Sequence, residues 1–330
     1  MGQIMDNKTL LASTVALSTI ICCALPMLAQ TTMSDADRKE IDKIKTEIDK
    51  KDYATALKEL KPMVEKGSKG AQYHLALMYL EGEGVPADPT KAAELFQKAS
   101  DQGGKHSTYN LGLLYAQGKG VKRDVNRAFQ LFKKAADDGE ADAQYNLGLL
   151  YLYGDGTKQD SKLAEKYLGL AADQGQEDAQ YSRSLLDLAG KSEPDKSKAF
   201  QILEKLANKG YVSAEFNYGD MYLEGVTVPK DAQKAAIWIT KAANADCLPA
   251  QYDLALMYHR GDGVPKDEKQ AVSWLKRAAE NGSVNAQYNL GLRYETGTGV
   301  SKDVKQAKHF FQMAADQGDK EAKHKLTTKI

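Results

Sequence analysis

Cysteine is scarce in this chain of 330 residues, which has only Cys22, Cys23 and Cys247. Two of the three lie in an apolar N-terminal segment, and its removal on export would leave Cys247 alone. A single cysteine cannot form an internal disulfide, so a disulfide-stapled framework is excluded for such a mature chain. The remaining thiol is then either buried or available for pairing with another molecule.

The chain also lacks an excess of charge of either sign. It has 45 basic and 45 acidic residues and a formal net charge of zero. Nucleic-acid-binding proteins neutralise phosphates with a surplus of lysine and arginine. The charge balance therefore predicts no nucleic-acid partner, while the 42% hydrophobic content is that of a globular protein.

Long apolar runs are confined to the N-terminus. The run Leu10–Leu28 carries no charge, follows Lys8, and leads through Ala29 into polar sequence. This pattern is typical of a secretory signal, so we predict a signal peptide over 1–29, cleavage after Ala29, and a periplasmic or secreted protein. The alternative is an uncleaved membrane anchor, because the run is nearly long enough to span a bilayer. Membrane contact is predicted only through this segment.

Motifs for metal or cofactor chemistry are missing. The five histidines are scattered without a pair at ligand spacing, and the HExxH motif is absent. Gly-x-Gly, as at Gly118 and Gly120, follows a predicted helix rather than a strand, which is the wrong context for phosphate binding. The sequence thus predicts no metal, no cofactor and no catalytic residue, and these glycines are interpreted as turn residues.

What the chain has instead is an internal period. An aromatic residue recurs every 36 residues, with one interval of 35: Tyr73, Tyr109, Tyr145, Tyr181, Phe216, Tyr252 and Tyr288. Each unit predicts two short helices, the second starting at an aspartate such as Asp88 and ending at a glycine such as Gly103. Asp246 takes the place of that glycine once. Because two short helices cannot bury their own apolar faces, the units are expected to stack into one continuous core.

The period divides the chain after the signal peptide into repeats flanked by caps. Capping helices are predicted at 34–70, with Ile41, Ile44 and Ile48 on one face, and at 319–330. Between them we predict seven repeats: 71–106, 107–142, 143–178, 179–213, 214–249, 250–285 and 286–318.

The fourth repeat, 179–213, departs most from the pattern. It has Arg183 in place of a leucine and Asp187 in place of the second aromatic, and it lacks the Gly-x-Gly. The segment Lys191–Ser197 is predicted to fill the turn. This repeat is interpreted as a joint at which the stacking changes, and the alternative is neutral variation in a tolerant loop.

The recurring motif carries a family resemblance. Tyr109–Val121, YNLGLLYAQGKGV, followed by an aspartate and an alanine-rich second helix, resembles the Sel-one-like repeats, which are relatives of tetratricopeptide repeats. Such copies extend over roughly 37–330. The resemblance implies an all-α fold, an α/α right-handed superhelical solenoid, used as a protein-binding scaffold in bacterial secreted or envelope proteins and in signalling adaptors. It implies no single partner.

One short motif favours an enzyme instead of a binding scaffold. Ser273–Lys276 matches the S-x-x-K of penicillin-recognising serine enzymes, and certain cysteine-rich relatives are described as penicillin-binding. The S-D-N and K-T-G motifs and the regular cysteine pairs are missing here, while Trp274 and Leu275 occupy packing positions of the repeat. A penicillin-binding or β-lactamase-like hydrolase is therefore the alternative hypothesis and not the favoured one.

Candidate binding residues lie on the first helices, which line the concave face in tetratricopeptide relatives. One residue after the aromatic, four repeats have an asparagine, and we call these the amide row: Asn110, Asn146, Asn217 and Asn289. Side-chain amides that donate and accept hydrogen bonds can hold an extended peptide, or they can bridge neighbouring repeats. Variable positions near the helix ends supply further candidates, which are Tyr153, His259, Arg260 and Arg293.

The sequence thus predicts an exported, non-enzymatic repeat scaffold that binds a protein or peptide. A rigid scaffold meets its partner without first having to become ordered. An intracellular signalling adaptor is the further alternative, should the N-terminal segment not direct export.

Overall fold

The computed structural model describes residues 35–190 and 193–327, and this part of the chain consists of 17 helices without a strand. The all-α fold of helix-pair repeats predicted from the sequence is confirmed. The predicted signal peptide, 1–29, lies outside the described residues. No helix in the described ranges is long and apolar enough to cross a membrane.

The chain divides into two compact units between Arg183 and Ser184, inside the fourth predicted repeat. The helices that begin in the first unit are α1 (Asp35–Asp49), α2 (Tyr53–Glu65), α3 (Lys69–Glu81), α4 (Pro89–Asp101), α5 (Lys105–Gln117), α6 (Val125–Asp137), α7 (Ala141–Tyr153), α8 (Ser161–Asp173) and α9 (Glu177–Ala189).

The second unit has the same succession of short helices. They are α10 (Glu193–Asn208), α11 (Val212–Glu224), α12 (Ala232–Asn244), α13 (Leu248–Arg260), α14 (Glu268–Glu280), α15 (Val284–Thr296), α16 (Val304–Asp316) and α17 (Lys320–Thr327). In each unit the two helices of a repeat pack against each other, and the second of them packs on the first helix of the next repeat.

The second helix of each regular repeat starts at the predicted aspartate. The carboxylate of Asp88 accepts a hydrogen bond from the backbone N–H of Lys91 at 3.1 Å, which satisfies an amide that has no partner within the helix. Equivalent caps are formed by Asp124, Asp160, Asp231, Asp267 and Asp303. The predicted helix starts are confirmed.

The end of the second helix requires a left-handed backbone, which glycine supplies in most repeats. Asp246, the exception noted in the sequence, has a φ of 61°. Its carboxylate accepts hydrogen bonds from Arg277 at 2.8 Å and from Gln251 at 3.1 Å. These contacts explain why a residue with a side chain occupies this position.

Glycine inside the first helix lets the two helices of a repeat approach closely. A Cβ atom on Gly112 of α5 would lie 2.8 Å from the ring of Phe132 on α6, closer than real Cβ contacts. The buried ring of Phe132 fills the space that a side chain at position 112 would need. The absence of a side chain at Gly112 therefore allows α5 and α6 to pack closely.

Buried glutamines join consecutive repeats through hydrogen bonds that we call glutamine bridges. Gln144 on α7 donates to the carbonyl of Ala136, at the end of the preceding second helix, at 3.1 Å. Its own carbonyl oxygen accepts a hydrogen bond from Gln174, at the end of α8, at 2.7 Å. In the second unit Gln251 and Gln287 form the same two bonds.

Both ends of the described chain carry helices where capping helices are predicted. Ile41 and Ile44 on α1 are buried, and Ile48 packs beside them against the first repeat. At the other end, Ala322 of α17 is buried against α16, while much of the helix is exposed. Residues 328–330 of the predicted C-terminal cap lie outside the described residues.

The fourth repeat corrects one expectation. The segment Lys191–Ser197 was expected to fill the turn, but α10 begins at Glu193, and Pro194 lies in its first turn. The missing N–H of proline costs little in a first turn, because that N–H has no partner within the helix. In the first unit, Arg183 lies against Gly169 of α8, where a Cβ would be 2.7 Å from its guanidinium.

Candidate functional site

The amide row serves first as a link between repeats. The side-chain nitrogen of Asn146 on α7 donates to the hydroxyl of Tyr109 on α5 at 2.9 Å, and Asn146 is 3% exposed. In the second unit Asn289 donates to the hydroxyl of Tyr252 at 3.0 Å. Each amide thus contacts the aromatic residue of the preceding repeat, as the bridging hypothesis predicted.

The amide nitrogens of the row also bond within their own helices. Asn110 donates to the carbonyl of His106 at 2.9 Å, Asn217 to Ser213 at 2.9 Å, and Asn289 to Asn285 at 2.8 Å. Within the described ranges, no hydrogen bond is accepted by the side-chain carbonyl oxygens of Asn110, Asn146 and Asn289. The donors of the row are therefore used inside the protein, and the acceptors of the partly exposed Asn110 and Asn289 are left for a ligand or water.

Two carboxylates on the same helix face were not among the sequence-predicted site residues. Asp253 on α13 occupies the amide-row position of the sixth repeat, and Asp220 lies on α11. Burial raises the pKa of Asp253 to about 7 and that of Asp220 to about 6. The negative charge of Asp220 also raises the pKa of Asp253, so the two carboxylates are close enough to interact. The sequence signal for them was the loss of the repeat's own residue at both positions.

Two of the predicted anchors bind a common carboxylate inside the second unit. His259 Nδ1 lies 2.8 Å from Glu268 Oε1, and Arg293 forms an ion pair with the other oxygen of Glu268. Burial opposes ionisation of Glu268, but the hydrogen bonds from His259 and Arg293 outweigh it and lower its pKa. The structure thus brings these two residues together as a clamp on Glu268.

The other two predicted anchors are exposed. The side chain of Tyr153, at the end of α7, is 40% exposed, which is unusual for a large aromatic residue in this protein. Arg260 ends α13 and is exposed, and its positive charge acts on Asp253, where it lowers the pKa against the effect of burial. Neither side chain forms a hydrogen bond or ion pair within the described ranges, so both can contact a partner.

The residues of the S-x-x-K motif lie on α14. Ser273 and Lys276 lie on the exposed side of α14 without a hydrogen bond between them, and Lys276 faces Glu280 at 3.9 Å. Leu275 is buried in the core, as its packing position predicted. Within 35–190 and 193–327, no group of three histidine, cysteine or acidic side chains is arranged to hold a metal ion.

The single thiol of the second unit does not have a lowered pKa. Cys247 precedes α13 as its cap residue and is half-buried. Burial raises the pKa of its thiol, and a thiol with a raised pKa is a poor nucleophile.

Comparison with known proteins identifies the family. The Sel1 repeat model matches seven segments, which together cover most of the chain: 70–104, 105–140, 141–176, 178–211, 212–247, 248–283 and 284–319. The chain belongs to the Sel1 repeat family. The seven matched segments agree in number with the repeats predicted from the sequence, and their ends lie one or two residues from the predicted ones.

Two solved Sel1-type structures resemble this chain over most of its length. One is a protective antigen present in uropathogenic Escherichia coli strains and displaying an SLR fold, with 30% identity and a TM-score of 0.70 over 82% of this chain and 58% of that one. The other is a Sel1 repeat protein from Oxalobacter formigenes, with 27% identity and a TM-score of 0.67 over 94% of this chain and 98% of that one. No curated protein sequence matches this chain.

Membership of the Sel1 repeat family makes this chain a repeat scaffold. Sel1 repeats commonly mediate protein–protein interaction, and the family is generally non-enzymatic. The chain spans little more than half of the Escherichia coli relative.

Proposed function

We propose that this Sel1 repeat protein is exported and binds a protein or peptide in an extended conformation along its amide row. The observation that carries the proposal is the pair of acceptor oxygens on the partly exposed Asn110 and Asn289, which no group in the described chain uses. An extended peptide presents backbone N–H groups that such oxygens can accept from. Because the asparagines would bind the backbone of the partner, its side chains are free to contact other residues of the scaffold, which would determine specificity.

The rigidity of the scaffold supports the same proposal. Hydrogen bonds from Asn146 to Tyr109 and from Gln144 to Ala136 fix the first helix of one repeat against the preceding repeat. A surface held in this way loses little conformational entropy when a partner binds, so more of the contact energy appears as affinity.

Tyr153 and Arg260 are proposed as anchors of the partner. Both are exposed, and aromatic and arginine side chains supply much of the binding energy at protein interfaces. His259 and Arg293 remain predicted binding residues, but a partner would have to contact them in their clamp on Glu268.

Export is proposed from the uncharged run Leu10–Leu28 and places the scaffold in the periplasm or outside the cell. The description of the Escherichia coli relative as a protective antigen supports a location accessible from outside the cytoplasm. N-terminal sequencing of the protein recovered from periplasm and culture medium tests this. A mature chain starting at Gln30 is expected, and an intact chain in the cytoplasm would favour the adaptor alternative.

Binding can be tested by panning the purified mature protein against random 12-residue peptides displayed on phage. Each selected peptide, made synthetically, should bind wild type and lose about tenfold or more in affinity with Asn110→Ala if it binds the first unit, or with Asn289→Ala if it binds the second, because each variant removes one hydrogen-bond acceptor. Asn126→Ala, which changes an exposed amide on the second helix α6, is the matched control and should leave affinity unchanged. A library that yields no binder, or peptides that bind wild type, both amide-row variants and the control equally tightly, would contradict the proposal.

A further inference from the structure

Asp220 and Asp253 replace residues that the repeat otherwise uses. The position of Asp253 is an asparagine in four of the other repeats, and Asp253 lies between Asn217 and Asn289 in the row of the second unit. The position of Asp220 is a leucine in every other repeat, namely Leu77, Leu113, Leu149, Leu185, Leu256 and Leu292. Helix packing explains neither change, since an ionisable group replaces an apolar or neutral one at a half-buried position.

These two residues, here called the acidic pair, belong to first helices of adjacent repeats, α11 and α13, and each side chain keeps only part of its surface exposed. Within the described chain, neither carboxylate accepts a hydrogen bond or forms an ion pair. The charged groups that act on Asp253 are Asp220 and Glu224 on α11 and Arg260 on α13. Two of the three are negative, so the environment of the pair has an excess of negative charge.

A carboxylate withdrawn from water without a partner destabilises the folded protein, and a second one beside it adds to the cost. A cation that binds beside both carboxylates removes this cost, and its attraction is stronger than in bulk water because both side chains are partly buried. Part of the desolvation required for binding has therefore already occurred in the free protein.

We propose that the acidic pair selects peptides by binding one cationic side chain, a lysine or an arginine, of the segment that lies along the amide row. The inference rests on the proposed function, because Asn289, in the repeat that follows Asp253, would hold the peptide beside the pair. A side-chain cation fits the observations better than a metal ion, since no three potential ligands converge in the described ranges.

The test uses the phage-selected peptides with wild-type protein and with Asp220→Leu/Asp253→Asn. This variant restores the residues that other repeats have at both positions, so it is expected to fold. The matched control, Glu94→Gln/Glu280→Gln, removes the same number of negative charges from exposed positions on second helices. Circular dichroism and thermal unfolding of all three proteins establish that they are folded.

The selected peptides are expected to share one lysine or arginine at a fixed place. Replacing this residue by norleucine, which keeps the chain length but not the charge, should weaken binding to wild type and to the control protein by about tenfold or more. The variant lacking the acidic pair should bind both peptides within about twofold of each other. The preference for the cationic peptide should also be smaller at pH 5 than at pH 8, because both carboxylates bind protons at low pH.

The possible failures are distinguishable. No peptide binding to wild type would overturn the proposed function and this inference with it. Peptides that bind through the amide row but share no cationic residue, or that keep their lysine preference in Asp220→Leu/Asp253→Asn, would overturn the inference alone. Calorimetric binding of calcium chloride to wild type, lost in that variant, together with the absence of a lysine preference, would assign the pair to a metal ion instead.

Discussion

The side-chain amide of Asn146 donates a hydrogen bond to the hydroxyl of Tyr109, 2.9 Å away, across the boundary between two consecutive repeats. Because Asn146 is 3% exposed, water cannot readily replace the hydroxyl if it is lost. The same pair recurs as Asn289 and Tyr252, where the amide also has a second acceptor, the carbonyl of Asn285. The two pairs therefore allow the same amide–hydroxyl hydrogen bond to be compared where the amide has one acceptor, at Asn146, and where it has two, at Asn289.

Tyr109→Phe should lower the free energy of unfolding by about 1–2 kcal/mol, because it leaves a buried amide donor without its acceptor. Tyr252→Phe is the matched variant and should cost less, about 0.5 kcal/mol, because Asn289 keeps its bond to Asn285. Urea unfolding followed by circular dichroism measures both. Equal losses in the two variants would show that the second acceptor does not matter.

Thr227→Gly is expected to stabilise the protein. Thr227 has a φ of 69°, a left-handed conformation that strains a β-branched residue by roughly 1–2 kcal/mol. After the entropy that glycine loses on folding is subtracted, a net gain of about 0.5–1 kcal/mol remains. Thermal unfolding of the variant should show a higher midpoint.

The contrasting change is made at Gly263, which holds the corresponding place in the next repeat with a φ of 71°. A Cβ there would lie 1.9 Å from the carbonyl oxygen of Ala232, so Gly263→Ala should destabilise by more than about 2 kcal/mol. If Thr227→Gly lowered the unfolding midpoint, the strain assigned to Thr227 would be absent.

Asp253→Asn should stabilise the free protein at pH 8 and have little effect at pH 4. The pKa of Asp253 is about 7 in the folded state, above its ordinary value of 3.8, so the folded protein binds the proton more tightly than the unfolded chain. The favourable contribution of Asp253 to the free energy of unfolding is therefore fully present below pH 3.8 and is lost as the pH rises through 7. Since Asp253 keeps some solvent contact, we expect a gain of about 1–3 kcal/mol at pH 8.

Unfolding by urea at a series of pH values between 4 and 8 measures this gain. A constant difference between wild type and variant would show that Asp253 is ionised throughout. A loss of stability in the variant at pH 8 would show that its carboxylate has a partner in the folded protein.

His74 should make the first unit sensitive to acid. This histidine holds the amide-row position of the first repeat, and burial, helped by the charge of Lys45, lowers its pKa to about 4 against the opposing effect of Asp42 and Asp49. A lowered folded-state pKa means that its stability contribution is present above pH 6.5 and is lost as the pH falls through 4. His74→Asn should remove up to ~3 kcal/mol of this pH dependence.

The free energy of unfolding of wild type and of His74→Asn is measured at several pH values between 4 and 6.5, and its change with pH is compared. Wild type should lose more stability than the variant over this interval. Parallel slopes would show that His74 binds its proton equally well in both states.

Periodic features were predictable from the sequence because every copy repeats the same local physics. The caps at Asp88 and its equivalents, the helix ends, and the tight approach at Gly112 depend on residues close to one another within a single repeat. Because these signals recur along seven repeats, most of them in several copies, the helix pairs and the family resemblance were evident from the sequence. The start of α10 at Glu193 was missed because proline suggests a turn, although a first helical turn tolerates it.

The candidate site was less predictable, because it depends on which side chains from different repeats meet. The sequence placed His259 and Arg293 at variable positions and could not show that both bind Glu268. Asp220 and Asp253 were not predicted as site residues, although each differs from the residue that most other repeats have at its position. Their interaction became apparent once α11 and α13 were placed in space. Whether the predicted anchors contact a partner stays a prediction.

The glutamine bridges restrict how a chain of this kind can change in length. Each bridge links three residues that lie at fixed distances along the sequence, as Gln144 is linked to Ala136 and to Gln174. A deletion of half a unit would leave buried amides facing the wrong carbonyls, whereas loss or duplication of a full unit restores every bond in the new neighbour. Genes for such proteins should therefore tolerate gains and losses of about 36 codons, or multiples of this number, far better than shorter in-frame changes within the helices.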